Sequence, residues 1–206
     1  MSAAALPAPP AAPDWRLRII AALARHADAA RPSHSDLLPA GPVVPAAVLV
    51  PIVLGSEPSV LLTRRADTLS AHPGQVSFPG GRIEPGDAGA RAAALRETRE
   101  EIGLPPAAVE VAGRLPRHLT GTGFAISPLV GLLHPPLALA PDPREVAELF
   151  ELPLAVLLDE HAARREQAEF RGQLRHFWVI PHARYHIWGA TAAILVNLGR
   201  VLRAGQ

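Results

Sequence analysis

The sequence contains no cysteine and no lysine. Without cysteine the chain cannot form disulfide bonds, zinc–thiolate sites or a cysteine nucleophile. All 20 basic residues are arginines, and with 19 acidic residues they leave a formal net charge of +1. This balance gives no overall attraction to nucleic acid, and an aromatic content of only 4% argues against an RNA-binding surface. The sequence therefore predicts no nucleic-acid partner.

Long apolar runs are also missing. The most apolar segment, residues 42–55 (PVVPAAVLVPIVLG), is shorter than a membrane-spanning helix and contains three prolines. The first residues, MSAAALPAPPAAPDW, show neither the basic segment nor the continuous apolar segment of a secretion signal. We therefore expect a cytoplasmic protein that makes no membrane contact.

Hydrophobic residues make up 49% of the 206 positions, which is enough for one domain with a packed core. Residues 1–13 form an Ala/Pro tail that we expect to be disordered. Residues 14–206 are expected to form a single domain that begins with a helix from residue 15 to about residue 30.

Strands and helices are mixed in the remainder of the chain without regular alternation, which predicts an α+β fold. Helices are expected at residues 88–102 and 189–202, and residues 146–158 have a helical tendency interrupted by Pro153. Alternating or continuous apolar patterns predict strands at residues 46–54, 59–63, 75–78, 109–115 and 124–133, and a hairpin of residues 166–170 and 175–180.

Residues 96–103, RETREEIG, place three glutamates near the end of the predicted helix 88–102. Glu97, Glu100 and Glu101 share one helix face, where like charges near the negative end of the helix dipole are destabilising. One interpretation is a solvated face with an Arg96–Glu100 ion pair. The other is a site for a hard divalent cation, which prefers oxygen ligands. A glycine-rich loop just before the helix favours the second, because glycine lets the backbone approach a ligand closely.

The segment GGRIEPGDAGARAAALRETREEIGL, residues 80–104, resembles the Nudix box, in which Gly, five residues, Glu and seven residues precede Arg-Glu-aliphatic-x-Glu-Glu-x-Gly-aliphatic. The second half matches at Arg96, Glu97, Glu100, Glu101, Gly103 and Leu104. Thr98 replaces an aliphatic residue, and the first half is one residue longer, with Asp87 where Glu is usual. The resemblance implies a Nudix-type α/β/α sandwich with a mixed sheet that hydrolyses nucleoside diphosphates linked to another group.

The same resemblance implies roles for individual residues. The metal ligands for Mg²⁺ or Mn²⁺ would be Glu97, Glu100 and Glu101. Arg96 would orient these carboxylates, and the loop glycines Gly80 and Gly81 would shape the backbone beside the helix.

Nudix enzymes often use a further carboxylate as a general base. The segment DPREVAELFELP offers Glu145 and Glu148, and we favour Glu145. The alternative is that Asp142 and Glu145 form an ordinary capping box at the start of a helix.

A second motif, LLTRRADTLSAHPGQVSFPGG at residues 61–81, resembles the signature of the coenzyme A pyrophosphatase branch of the family, which also has the longer loop with Asp. This implies coenzyme A or acyl-CoA as the substrate, cleaved to 4′-phosphopantetheine, or its acyl form, and 3′,5′-ADP. The alternatives are another nucleoside diphosphate derivative, such as ADP-ribose or NADH, and a non-catalytic nucleotide-binding module. The family and the apolar N-terminal helix also suggest a homodimer.

Within this second motif, Arg65 and then Arg64 are candidates for substrate binding, because a guanidinium group can bind phosphate in a bidentate manner. Both would otherwise lie at a solvated strand end. His72 has three interpretations, namely binding phosphate, orienting a loop or supporting the structure. Two further polar residues alternate with apolar neighbours and are expected to face the substrate: Gln75 and Ser77.

Overall fold

The computed structural model describes residues 14–26, 33–35, 39, 41–170 and 172–205. The helices are α1 (Trp15–His26), α2 (Ala90–Ile102), α3 (Leu154–Leu158) and α4 (Gly189–Arg203). The strands are β1 (Ser33–His34), β2 (Val44–Val53), β3 (Ser59–Arg65), β4 (Val76–Ser77), β5 (Gly80–Arg82), β6 (Val109–Arg114), β7 (His118–Leu119), β8 (Phe124–Leu133), β9 (Val146–Pro153), β10 (Arg164–Phe170), β11 (Gln173–Ile180) and β12 (Ile187–Trp188).

One prediction lies wholly, and another partly, outside the described residues. The Ala/Pro tail at residues 1–13 and the end of the predicted N-terminal helix beyond residue 26 both lie outside the described residues. Within the described ranges, no helix combines the length and the apolar character needed to cross a membrane.

The main sheet is mixed, with the order β1-β7-β8-β2-β3-β4, and β5, β6 and β9 pair with β2, β8 and β3 respectively. Its centre is the parallel pair of β2 and β8, in register from Val44↔Phe124 to Val53↔Leu133. A second sheet has the order β10-β11-β12. This mixture of parallel and antiparallel pairs confirms the predicted α+β class.

Helices cover both faces of the main sheet. Leu49 of β2 and Leu61 of β3 pack with Ile102 of α2 on one face. Their chain neighbours Val50 and Leu62 point the other way, into a core shared with residues of α1, α3 and α4. The result is the expected α/β/α sandwich, and it gives β3 one face directed toward α2 and one directed away from it.

The helical tendency predicted for residues 146–158 is wrong for most of that segment. Residues Val146–Pro153 form strand β9, and only Leu154–Leu158 are helical. Strand β9 pairs antiparallel with β3 along its whole length, with Phe150 opposite Leu62. The long-range pairing satisfies backbone groups at the β3 edge, and this outweighs the local helix propensity of alanine, glutamate and leucine.

Candidate active site

Helix α2 carries the glutamates and lies close to the main sheet because the residues between them are small. Ala93, Ala94 and Thr98 are 0% exposed. The Thr98 hydroxyl donates to the Ala94 carbonyl at 2.6 Å, so threonine satisfies its hydroxyl group at a buried position where the motif usually has an aliphatic residue. The helix ends at Ile102, as predicted, and the next residue, Gly103, adopts φ 73° and donates its N–H to the Arg99 carbonyl.

Glu101 is the most deeply buried of the three glutamates, with 4% of its surface exposed. The backbone N–H of Gly80 donates to its Oε2 atom at 3.3 Å. Burial raises the pKa of Glu101 to about 8, and the nearby charges of Glu145 and Glu97 add to the increase. A buried carboxylate with this pKa needs either a proton or an additional positive charge beside it.

Glu97 fits against the glycine loop only because the loop has no side chain there. A Cβ atom added to Gly81 would lie 2.4 Å from Oε1 of Glu97. A Cβ atom on Gly80, whose φ is 152°, would lie 2.4 Å from the Ala47 carbonyl oxygen. Partial burial raises the pKa of the Glu97 carboxyl. Glycine at position 81 therefore leaves room for the Glu97 carboxylate, and glycine at position 80 lets β5 pair closely with β2.

Arg96 connects the loop to the helix. It donates from Nε and Nη2 to the two carboxylate oxygens of Asp87, at 3.1 and 3.0 Å. Its Nη1 donates to Glu97 at 3.1 Å and to Glu100 at 2.9 Å. The Arg96 hydrogen bonds lower the pKa of Asp87, whose side chain is 6% exposed. Asp87 was not among the predicted site residues, and its only signal in the sequence was its position in the lengthened loop.

The two candidate arginines of β3 are directed to opposite faces of the sheet. Arg65 lies on the α2 side, where its positive charge lowers the pKa of Glu101 against the larger effect of burial. Its Nε atom is buried and has no hydrogen-bond partner within the described part of the chain. Arg64 lies on the other side and donates to both carboxylate oxygens of Asp67, at 2.7 and 3.1 Å. The structure thus brings only Arg65 to the glutamates.

Strand β4 completes the wall around Arg65. Ser77 is opposite Thr63, and their hydroxyl groups are 2.9 Å apart. Val76 and Phe78 are buried in the opposite core, as the alternation predicted. Ser77 therefore lies on the same side of the sheet as Arg65.

Gln75 and His72 belong to the loop that leads into β4. Gln75 is half-buried, and its carbonyl accepts a hydrogen bond from the Arg65 N–H at 2.9 Å. His72 is exposed, has a left-handed φ of 57°, and accepts from the Gln75 N–H at 3.3 Å. In this arrangement the backbone of His72 shapes the turn before Gln75.

The structure also separates the two candidates for a general base. Glu145 lies in the turn before β9, and its negative charge raises the pKa of both Glu97 and Glu101. Glu148 is opposite Arg64, on the far side of the sheet, and accepts from Arg184 at 3.0 Å. The capping-box alternative is wrong, since Asp142 accepts the N–H of Glu145 in a turn that leads into a strand.

The glutamate side chains of α2 are chemically suited to bind a hard divalent cation. They supply carboxylate oxygens, and one carboxylate, that of Glu101, is buried among like charges. In the present arrangement Arg96 holds Glu97 and Glu100. Among the described residues, no three acidic or histidine side chains are grouped closely enough to hold a metal ion as they stand.

Comparison with known proteins places the chain in a family. A model of the NUDIX domain matches residues 43–176. An uncharacterised Nudix hydrolase, NudL, from Cronobacter sakazakii is 45% identical over 153 residues, which cover 74% of this chain and 80% of that protein. A protein of the same name from Escherichia coli K12 is 44% identical over 155 residues, covering 74% of this chain and 80% of its own length.

One solved structure supports the fold. A NUDIX hydrolase from Alicyclobacillus acidocaldarius aligns with a TM-score of 0.50 and 21% identity, covering 78% of this chain and 93% of that one. Enzymes of this family generally use divalent metal ions, in keeping with the carboxylates of α2. From the domain match and these relatives, the chain belongs to the Nudix family and is a pyrophosphohydrolase that acts on a nucleoside diphosphate derivative.

Proposed function

We propose that this enzyme hydrolyses the pyrophosphate bond of coenzyme A or acyl-CoA in the cytoplasm. The main support is the position of Arg65, which the coenzyme A signature at residues 61–81 supplies beside the α2 glutamates. Its buried Nε atom has no hydrogen-bond partner among the described residues. A guanidinium group in this situation suits a phosphate oxygen of the substrate.

In this proposal the pyrophosphate lies between helix α2 and the wall formed by β3 and β4. Glu97, Glu100 and Glu101 hold Mg²⁺ or Mn²⁺, which when bound neutralises phosphate charge and lowers the pKa of a water molecule. Arg65 binds a phosphate oxygen. Four further residues line the substrate or shape its loop: Gln75, Ser77, Gly80 and Gly81.

Two other residues have roles that do not involve binding the metal. Arg96, tied to Asp87, positions the carboxylates of Glu97 and Glu100. Glu145 is the proposed general base, because its charge lies close enough to affect the pKa of both Glu97 and Glu101. As base it would take a proton from the attacking water. In this proposal Arg64 and His72 do not bind the substrate but stabilise the loop between β3 and β4.

The reaction requires attack of water on one phosphorus atom and departure of the other phosphate. Coenzyme A would give 4′-phosphopantetheine and 3′,5′-ADP, and each product would retain one phosphate of the original pyrophosphate. The alternative substrates, ADP-ribose and NADH, contain the same bond but lack the pantetheine arm and the 3′-phosphate.

The test is a comparison of coenzyme A, acetyl-CoA, ADP-ribose and NADH with Mg²⁺ or Mn²⁺, in which products are identified by mass spectrometry. We expect the highest kcat/KM for coenzyme A or its acyl form, and 3′,5′-ADP as a product. Glu100→Gln, which changes an exposed carboxylate, should keep the fold and lose turnover. Cleavage of ADP-ribose with coenzyme A left intact would overturn the substrate assignment, and full turnover by Glu100→Gln would overturn the metal assignment.

A further inference from the structure

Strand β10 is an exposed edge of the second sheet. In the described part of the chain it pairs with β11 alone, from Arg164↔Val179 to Phe170↔Gln173. Each of its described side chains is exposed except that of Glu166, which is half-buried. The outer edge of β10 therefore carries a row of backbone N–H and C=O groups on which another strand can pair.

The face of the hairpin that carries Arg165, Glu169 and Leu174 is exposed. Leu174 of β11 is directly opposite Glu169 of β10, and it is 58% exposed. Arg165, on the same face of β10 as Glu169, lies with its guanidinium 5.4 Å from the centre of the Trp178 ring. This face therefore presents a positive group near one end of the strand and a negative group near the other.

Two residues of opposite charge lie at equal distances on either side of Gln167, the central residue of β10. Arg165 lies two positions before it and Glu169 two positions after it. A two-fold axis perpendicular to the sheet at Gln167 would place a second β10 antiparallel to the first. Arg165 of each copy would then face the partner's Glu169, with the Cβ atoms of a facing pair about 4.5–5.5 Å apart.

We propose that two copies of this chain associate through β10, in the antiparallel register centred on Gln167. The two three-stranded sheets become one continuous sheet, and two Arg165–Glu169 pairs form across the axis. A register centred on Glu166 would place that glutamate opposite its own copy, where like charges repel. Charged side chains usually protect an edge strand from pairing, but here their order selects one partner and one register.

The experiment measures the oligomeric state of the full chain by sedimentation velocity over a wide range of protein concentration. The wild-type chain should be a dimer. The single variants R165E and E169R each replace two attractive pairs by two repulsive ones, so each should raise the dimer dissociation constant by about tenfold or more. The double variant R165E/E169R restores two attractive pairs and should recover the dimer.

Mixing the two single variants gives the most specific result. One chain then carries two positive charges on this face of β10 and the other carries two negative charges, so a heterodimer should form at concentrations at which each variant alone is mostly monomeric. The control is Glu57→Arg, a charge reversal at an exposed position between β2 and β3, which should leave the dimer unchanged.

Three outcomes would overturn the proposal. They are a monomeric wild-type chain, dimers of R165E and E169R as stable as the wild type, and no heterodimer in the mixture. Circular dichroism of each variant separates loss of association from loss of folding. Sedimentation velocity reports association and not turnover. The result therefore does not depend on whether the coenzyme A assignment is correct.

Discussion

At the scale of single residues, the site depends on two glycines and one arginine. Gly81 leaves room for the carboxylate of Glu97, and Gly80 lets β5 pair closely with β2. Arg96 has hydrogen bonds to Asp87, Glu97 and Glu100 at once. The glycines and Arg96 were identified from the sequence as site residues. The contact of Asp87 with Arg96 was seen only in the folded loop.

The first prediction concerns Gly81→Ala. A Cβ atom there would come within 2.4 Å of Glu97 Oε1, so the carboxylate must move. Because Glu97 is a flexible side chain, the protein should fold with nearly unchanged thermal stability. Its requirement for metal should rise by about 10- to 100-fold, the usual effect of disturbing groups that orient metal ligands. Activity titrated with Mg²⁺ or Mn²⁺ measures this.

The matched control is Gly86→Ala in the same loop. A Cβ atom at Gly86 meets nothing within 4 Å, so this variant should have the wild-type metal requirement. Equal metal requirements for the two variants would show that the fit of Gly81 against Glu97 does not matter for the site.

At the scale of elements, strand β9 determines which carboxylate reaches the site. Its pairing with β3 places Glu148 opposite Arg64, on the side away from α2. Glu145 lies just before the strand, where a backbone hydrogen bond from Ala66 to its carbonyl, at 2.8 Å, fixes the turn. Both glutamates were candidates for the general base from the sequence. The predicted helical tendency of this segment did not indicate which of them would face the site.

The second prediction follows from this arrangement. Glu145→Gln removes the proposed base and should lower kcat by about 10²-fold or more with little change in KM. Steady-state kinetics across pH, with the fold checked by circular dichroism, provides the measurement.

Glu148→Gln is the control for this variant, since it makes the same chemical change on the opposite face. We expect kinetics close to those of the wild type. If Glu145→Gln retained full activity while Glu148→Gln lost it, the assignment of the base would have to be abandoned.

At the scale of the whole molecule, a surface network attaches helix α1 to the sheet. Arg16 of α1 donates from Nε to Glu110 of β6 at 2.9 Å, and His134 lies 3.1 Å from the same carboxylate oxygen. These hydrogen bonds lower the pKa of Glu110 from its ordinary value of 4.5 to about 2. The network joins residues that are 94 positions apart in the sequence.

The third prediction is a pH dependence of stability. A carboxyl group whose pKa is lower in the folded state stabilises the fold above its unfolded pKa, and this contribution disappears as the pH falls through the folded value. Glu110→Gln should therefore have a lower melting temperature than the wild type at pH 6, and the difference should shrink between about pH 4.5 and pH 2. Thermal melts monitored by circular dichroism test this.

An exposed glutamate elsewhere, Glu57, provides the comparison, because Glu57→Gln should leave the melting temperature nearly unchanged throughout this range. A difference for Glu110→Gln that stayed constant down to pH 2 would contradict the role of its ionised form. It would then indicate that packing around residue 110, and not its charge, attaches α1.

Features that depend on local spacing along the chain could be predicted from the sequence. The glutamates of α2 share a face because the helical repeat places them there, and Gly103 ends the helix because its left-handed φ suits glycine. The burial of Val76 and Phe78 followed from the two-residue repeat of a strand. The Nudix resemblance rested on the same short-range spacing, and the domain match confirmed it.

The folded chain sets the features that depend on neighbours far along the sequence. It buried Glu101 beneath the glycine loop, turned Arg65 and not Arg64 toward the glutamates, and made a strand of the segment after Glu145. Local periodicity sets which residues share a face of one element, but the burial and the charge environment of that face depend on what packs against it. The distance between Glu145 and α2 is therefore a property of the assembled sheet.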